Sequence, residues 1–169
     1  MVKLGSPALT LANAVTLSRL LVVPFILALL TWEDSIATRS WCAALVGVAG
    51  ITDWLDGYVA RKWQQESELG KILDPLVDKL VVFAPLLMLV ELGEIPAWGV
   101  YIILAREFLI TLWRAPKQSG ANLWGKVKTT SQIIAILLLL LRVPYALWSF
   151  WLAVVLTVIS GITYVFPVH

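Results

Sequence analysis

Apolar runs of membrane-spanning length recur along this chain, and the segments between them are short. A transmembrane helix needs about 20 mostly apolar residues, and such stretches are expected at about 14–32, 37–62, 71–92, 97–115, 126–142 and 146–166. Inside lipid every backbone polar group must be satisfied within its own segment, so runs of this kind form helices. The composition agrees: hydrophobic residues make up 60% and charged residues 14%, against roughly 45–50% and 25% in soluble domains. The expected fold is an all-α integral membrane protein, a bundle of six transmembrane helices forming a single domain over 1–169. A short N-terminal amphipathic segment, with Leu4, Leu9, Leu11 and Ala12, is expected to lie on the membrane surface. Asn13 is expected to cap the first helix, Pro24 to kink it, and Pro75 to mark the start of the third. The first residues lack the basic, apolar and small-residue succession of a cleavable signal, so the first run is expected to stay as a membrane helix.

Several function classes fall away on composition. A net charge of +2, with no basic stripe carrying interleaved aromatics, gives no footprint for nucleic acid. Cys42 is the only cysteine and His169 the only histidine, which leaves neither an intrachain disulfide nor an internal histidine for a triad or a zinc site. The placement of the cations says more than their sum. Lys3, Arg61, Lys62, Lys71, Arg114, Lys117, Lys126 and Lys128 collect on one side of the expected bundle, whereas Arg39 and Arg142 are alone on the other. The positive-inside rule puts the first group in the cytoplasm. Most tryptophans fall near expected helix ends, as interfacial aromatics do.

The stretch 53–78, DWLDGYVARKWQQESELGKILDPLVD, breaks the apolar pattern with four aspartates. A charged side chain at the centre of a membrane helix costs roughly 2.5–3.5 kcal/mol, so such residues face a polar interior and serve a function. At 100° per residue Asp53, Asp56, Gly57 and Ala60 share one stripe of the second helix, and Asp74 and Asp78 share a face of the third. The short link between the helices makes them antiparallel neighbours whose acidic faces can meet. Oxygen ligands without His or Cys suit a hard cation such as Mg²⁺ or Mn²⁺. Two such ions, roughly 3.5–4 Å apart, form the clamp used in phosphoryl transfer. Gly47 and Gly50 permit close helix approach, Gly57 and Ala60 leave room beside the carboxylates, and Arg61 is placed to pair with a phosphate. The competing structural reading makes Asp78 with Lys79, or Asp56 with Arg61, mere ion pairs of the bundle.

These residues resemble the CDP-alcohol phosphotransferase family. Its signature, D-x2-D-G-x2-A-R-x8-G-x3-D-x3-D, is matched at every position: Asp53, Asp56, Gly57, Ala60, Arg61, Gly70, Asp74 and Asp78. The resemblance implies the CDP-alcohol phosphotransferase fold over nearly the whole chain and an enzyme that moves a phosphatidyl group from a CDP-linked donor to an alcohol, releasing CMP. It further implies that Asp53, Asp56, Asp74 and Asp78 hold two Mg²⁺ or Mn²⁺ ions, with Asp78 also the general base. Gly57, Ala60, Arg61 and Gly70 would line the CDP pocket. A homodimer in the bacterial cytoplasmic membrane is implied as well.

Within that family the chain is most similar to the branch whose acceptor is glycerol 3-phosphate, on the stretches NAVTLSRLLVVP, ILDPLVDKL, IPAW, AREFLITLWR and WGKVKT. The expected partners are therefore CDP-diacylglycerol, glycerol 3-phosphate and membrane lipid. The acceptor's phosphate needs cations, for which Arg106, Arg114, Lys126 and Lys128 are the candidates. The alternative for Arg106, followed by Glu107, is a structural charge inside the bundle, and Arg19 either snorkels to the interface or meets a headgroup. Other acceptors in the same family (phosphatidylglycerol in a cardiolipin synthase, inositol phosphate, serine) are the nearest alternative. A divalent-cation or proton transporter is the alternative from another class; it predicts acids on both sides of the midplane, whereas here they gather toward one.

Overall fold

The computed structural model describes residues 11–63, 68–113 and 123–165; within them the side chains of 11–17, 19, 53–63, 68–75, 78, 112–113, 123–126 and 164–165 fall outside the description. The described residues form six helices: α1 (Leu11–Trp32), α2 (Ile36–Trp63), α3 (Glu68–Glu91), α4 (Ala97–Trp113), α5 (Leu123–Leu140) and α6 (Ala146–Val165). Their ends fall within three residues of the expected ones. Two local expectations are corrected. Because α1 already begins at Leu11, Asn13 lies inside its first turn instead of capping it; Leu11 and Ala12 are good helix formers and carry the helix back past it. Likewise α3 begins at Glu68, so Pro75 lies two turns in and does not mark its start. α1 continues through Pro24.

One core runs through the bundle and takes side chains from every helix. Ile26 and Leu30 of α1 meet Cys42 and Val46 of α2, Leu86 and Leu89 of α3, Ile103 of α4, Ile136 and Leu140 of α5, and Phe150 and Val154 of α6. Such interdigitation fixes the helices against one another, because a close-packed interior tolerates little change of volume. The outer surface is apolar too: Leu21, Phe25, Ile51, Leu87, Tyr101, Leu109, Leu152 and Ile162 are exposed. Among the described helices, Ala146–Thr163 of α6 is long and apolar enough to cross a membrane, and shorter apolar stretches occupy Leu20–Trp32, Ile36–Thr52 and Val127–Leu140.

Three turns close the end of the bundle away from the four aspartates. After α3, Gly93 adopts φ 71°, with Gly93 N–H on the Val90 carbonyl and Glu94 N–H on that of Leu89, at 3.0 and 2.9 Å. This is the Schellman closure, in which a left-handed residue lets two amides satisfy the last carbonyls. After α5 the same closure recurs, with Arg142 N–H on Leu139 and Val143 N–H on Leu138, both at 3.0 Å. Here Arg142, at φ 50°, occupies the left-handed position that glycine ordinarily takes. Pro144 follows and prevents the helix from continuing.

The side chains of these turns are tied together. Arg39, in the first turns of α2 and 1% exposed, bonds through Nε to Asp34 and through both terminal nitrogens to Glu94. Arg142 Nη2 reaches the other oxygen of Asp34 at 2.7 Å. Asp34 belongs to the α1–α2 link, Glu94 to the α3–α4 turn and Arg142 to the α5–α6 turn, so one network joins all three. The candidate site residues lie toward the opposite end, where α2 leads to α3.

Candidate active site

Asp53 and Asp56 lie in the C-terminal half of α2, and Asp74 and Asp78 in the N-terminal half of α3. Gly57, Ala60 and Arg61 are on the same part of α2, and Gly70 is on the first turn of α3. The side chains of these residues lie outside the description, but the packing immediately above them does not. Ala49 of α2 packs with Val77 and Val81 of α3, and Leu20 and Val23 of α1 close the contact. Helical periodicity carries the stripe of Ala49 on through positions 53, 56 and 60, and the stripe of Val77 and Val81 back through 74. Positions 53, 56 and 74 thus continue, in register, the faces on which α2 and α3 are already joined, and position 78 lies to one side of that stripe. The expected pairing of the two helices holds, with α1 as the third wall.

A second register ties this region to α5. A Cβ placed on Gly50 would stand 3.2 Å from Ile133 Cδ1, and one on Gly47 4.0 Å from Leu137 Cδ2. The close approach expected at these glycines is therefore made to α5, and Gly50 has no room for a larger side chain without moving Ile133. Continued about one and a half turns, this antiparallel pairing brings Lys128 of α5 level with Asp56 of α2.

At that level the structure brings together two of the four candidate acceptor cations. Glu107 Oε1 accepts from Arg106 Nη1 at 3.0 Å and from Lys128 Nζ. Arg106 Nη2 donates to Ser160 Oγ of α6 at 2.8 Å. The side chains of Lys128, Arg106 and Glu107 are 6, 12 and 14% exposed. Gly161 allows the fit, since a Cβ there would stand 3.2 Å from Arg106 Cγ. One turn further along α5, Gln132 donates to Thr157 Oγ1 at 3.0 Å, and that hydroxyl donates to the Ala153 carbonyl. Arg106 Nε is buried and has no hydrogen-bond partner among the described residues. Arg114 lies outside the described residues, as does the side chain of Lys126.

Arg106 is thus paired with Glu107, as its structural reading expects, and its Nε is a buried donor with no partner among the described residues. The sequence identified Arg106 and Lys128 but did not reveal that one carboxylate serves both, because Glu107 and Lys128 sit on different helices. Nor did it give Ser160 a role. A small polar residue beside Gly161 on a mostly apolar helix was the available signal.

For a metal, the donor set is the test that can be applied. The four aspartates offer oxygen alone, with no histidine or cysteine within the stretch 53–78, and that set fits a hard divalent ion. Among the described side chains no three His, Cys, Asp or Glu residues gather into a competing metal site.

Comparison with known proteins is consistent with this arrangement. The sequence model described as CDP-alcohol phosphatidyltransferase matches residues 9–159. A CDP-diacylglycerol–glycerol-3-phosphate 3-phosphatidyltransferase of Bacillus subtilis (strain 168) is 40% identical over 178 aligned positions, covering 91% of this chain and 92% of that protein. Proteins of the same name from Escherichia coli (strain K12) and Haemophilus influenzae (strain ATCC 51907 / DSM 11121 / KW20 / Rd) are 36 and 35% identical. Each of these two alignments covers 88% of this chain, and 89 and 88% of the respective relative.

Proposed function

The chain belongs to the CDP-alcohol phosphatidyltransferase family, and on that premise we propose that it transfers the phosphatidyl group of CDP-diacylglycerol to glycerol 3-phosphate. The products are phosphatidylglycerophosphate and CMP, which places the enzyme in phospholipid biosynthesis. One observation supports a phosphorylated acceptor: Arg106 and Lys128 lie together, largely buried and both bonded to Glu107, and an acceptor bearing its own phosphate would give the two cations a further anionic partner.

In the proposed reaction the 1-hydroxyl oxygen of glycerol 3-phosphate bonds to the β-phosphorus of CDP-diacylglycerol. The bond from that phosphorus to the bridging oxygen of CMP breaks, CMP leaves with the electron pair, and the hydroxyl proton passes to the carboxylate of Asp78. Asp53, Asp56, Asp74 and Asp78 would hold two Mg²⁺ or Mn²⁺ ions, whose chemistry is to neutralise the diphosphate and the charge developing on the departing CMP. Gly57, Ala60, Arg61 and Gly70 would receive the CDP moiety. Arg106 and Lys128, with Arg114 and Lys126, would receive the acceptor phosphate.

The protein is proposed to work as a six-span integral membrane protein of the bacterial cytoplasmic membrane. The signature end would face the cytoplasm, as the bias of lysine and arginine indicates, and the apolar outer surface would contact lipid. A homodimer is proposed from the family resemblance. The deciding experiment incubates purified protein with CDP-diacylglycerol and, separately, glycerol 3-phosphate, serine, inositol phosphate or phosphatidylglycerol, and follows CMP release. Release with glycerol 3-phosphate alone is expected; release with another acceptor but not with glycerol 3-phosphate overturns the assignment.

A further inference from the structure

The geometry points to Glu107 as a positioning residue that holds Arg106 and Lys128 in place for the acceptor phosphate, with Ser160 of α6 fixing the other edge of Arg106. This inference rests on the reading of those two cations as phosphate ligands. Three helices converge on the cluster. Arg106 and Glu107 come from α4, Lys128 from α5 and Ser160 from α6. A single atom, Glu107 Oε1, accepts from both cations. Two like charges in a poorly solvated interior repel each other and turn outward unless a counter-charge lies between them.

Glu107 supplies that counter-charge to both cations from one oxygen, and Arg106 Nε keeps an N–H with no partner among the described residues. That donor adjoins the Nη2 edge held by Ser160, so the guanidinium is oriented before any anion arrives. A planar guanidinium so held presents a fixed fork suited to phosphate oxygens. Preorganisation of this kind lowers the ordering cost of binding, and its loss appears as weaker acceptor binding with the chemical step little affected. Glu107 itself would repel a phosphate at close range, so it acts through its two partners and not by touching the substrate.

The test compares Glu107→Gln, Lys128→Gln and the double variant, each purified and assayed for KM toward both substrates. Glu107→Gln is expected to raise KM for glycerol 3-phosphate by roughly tenfold, with KM for CDP-diacylglycerol changed by less than about twofold and kcat by less than about threefold. Because Glu107 acts in part through Lys128, the double variant should be clearly less impaired than the product of the two single effects. A merely structural glutamate would disturb both KM values together, and its effect would multiply with that of Lys128→Gln; either result overturns the inference. If Lys128→Gln raises the acceptor KM while Glu107→Gln does not, the inference falls and the reading of Lys128 stands. If neither moves it, the assignment of the acceptor cations falls as well. Should Glu107→Gln fail to fold, Ser160→Ala loosens Arg106 without removing a charge. A selective rise in acceptor KM of about threefold then supports the inference, and an unchanged value overturns it.

Discussion

Arg39 and Glu94 meet edge to edge, Nη1 to Oε2 at 3.1 Å and Nη2 to Oε1 at 2.6 Å, while the Nε of the same guanidinium is bonded to Asp34. The pair joins residues 55 apart in sequence. It sets a cation near the N-terminus of α2, where the helix dipole disfavours positive charge, so the two carboxylates must compensate for both the dipole and the burial. Arg39→Met would leave Asp34 and Glu94 with only the half-exposed Arg142 as a cation among the described residues. Removing one partner of a buried pair costs about 3–5 kcal/mol, and because Asp34 and Glu94 are 32 and 26% exposed the lower part of that range is expected. Thermal unfolding in detergent would measure it. Arg39→Lys should recover only part of the loss, since an ammonium cannot make the two-point contact.

The same network predicts how the fold responds to acid. The hydrogen bond from Arg39 holds the Asp34 carboxyl below its ordinary value of 3.8, against a smaller opposing effect of burial and with help from Arg142. A carboxyl whose pKa is lower in the folded chain stabilises the fold fully above its unfolded value and loses that contribution as pH falls through the folded one. The wild-type protein should therefore unfold at a higher temperature than Asp34→Asn near neutral pH, and the two curves should converge as pH falls below 3.8 and on through the lowered folded value. A difference that stayed constant across this range would show that Asp34 contributes by shape alone.

Arg142 gives a prediction of opposite sign to that for Arg39. Its left-handed backbone, at φ 50°, costs a non-glycine residue about 1–2 kcal/mol. Its ion pair with Asp34 is half exposed, and such pairs contribute about 0–1 kcal/mol. Arg142→Gly should therefore be neutral or slightly stabilising. Arg142→Val, which keeps the strain and loses the pair, should be less stable than Arg142→Gly by at least about 1 kcal/mol. Equal stabilities would mean that the turn relaxes when the side chain changes.

Legibility in the sequence divides along the difference between local and tertiary causes. Helix positions could be read because the apolar runs and their polar breaks are local, and Gly93 and Pro144 announce their turns by backbone chemistry alone. The signature from Asp53 to Asp78 could be read for the same reason: its spacing is set by two helices and one short link. Partnerships across helices could not. Nothing near Arg39 in sequence indicates Glu94, and Lys128 gave no sign that it is held by Glu107, since each contact depends on how α2, α3, α4 and α5 pack. Asn13 and Pro75 were misplaced because helix ends respond to the packing of the whole helix as well as to the residue at the boundary.

The strongest prediction on activity concerns Asp78. It is the last residue of the signature, one position beyond Val77, whose side chain is wholly buried against Ala49 of α2. A substitution that keeps its size should therefore leave the α1–α2–α3 junction intact. Asp78→Asn preserves shape but can neither take a proton nor offer a charged ligand oxygen. General-base catalysis contributes typically about 10²–10⁴-fold, so turnover should fall by at least about 100-fold while KM for CDP-diacylglycerol changes by only a few-fold. Excess chelator should abolish activity in the wild-type enzyme, and added Mg²⁺ or Mn²⁺ should restore it. The two measurements separate the roles. Normal turnover in Asp78→Asn would remove this residue as base, whereas full activity in chelator would remove the divalent ions and leave the four aspartates needing another explanation.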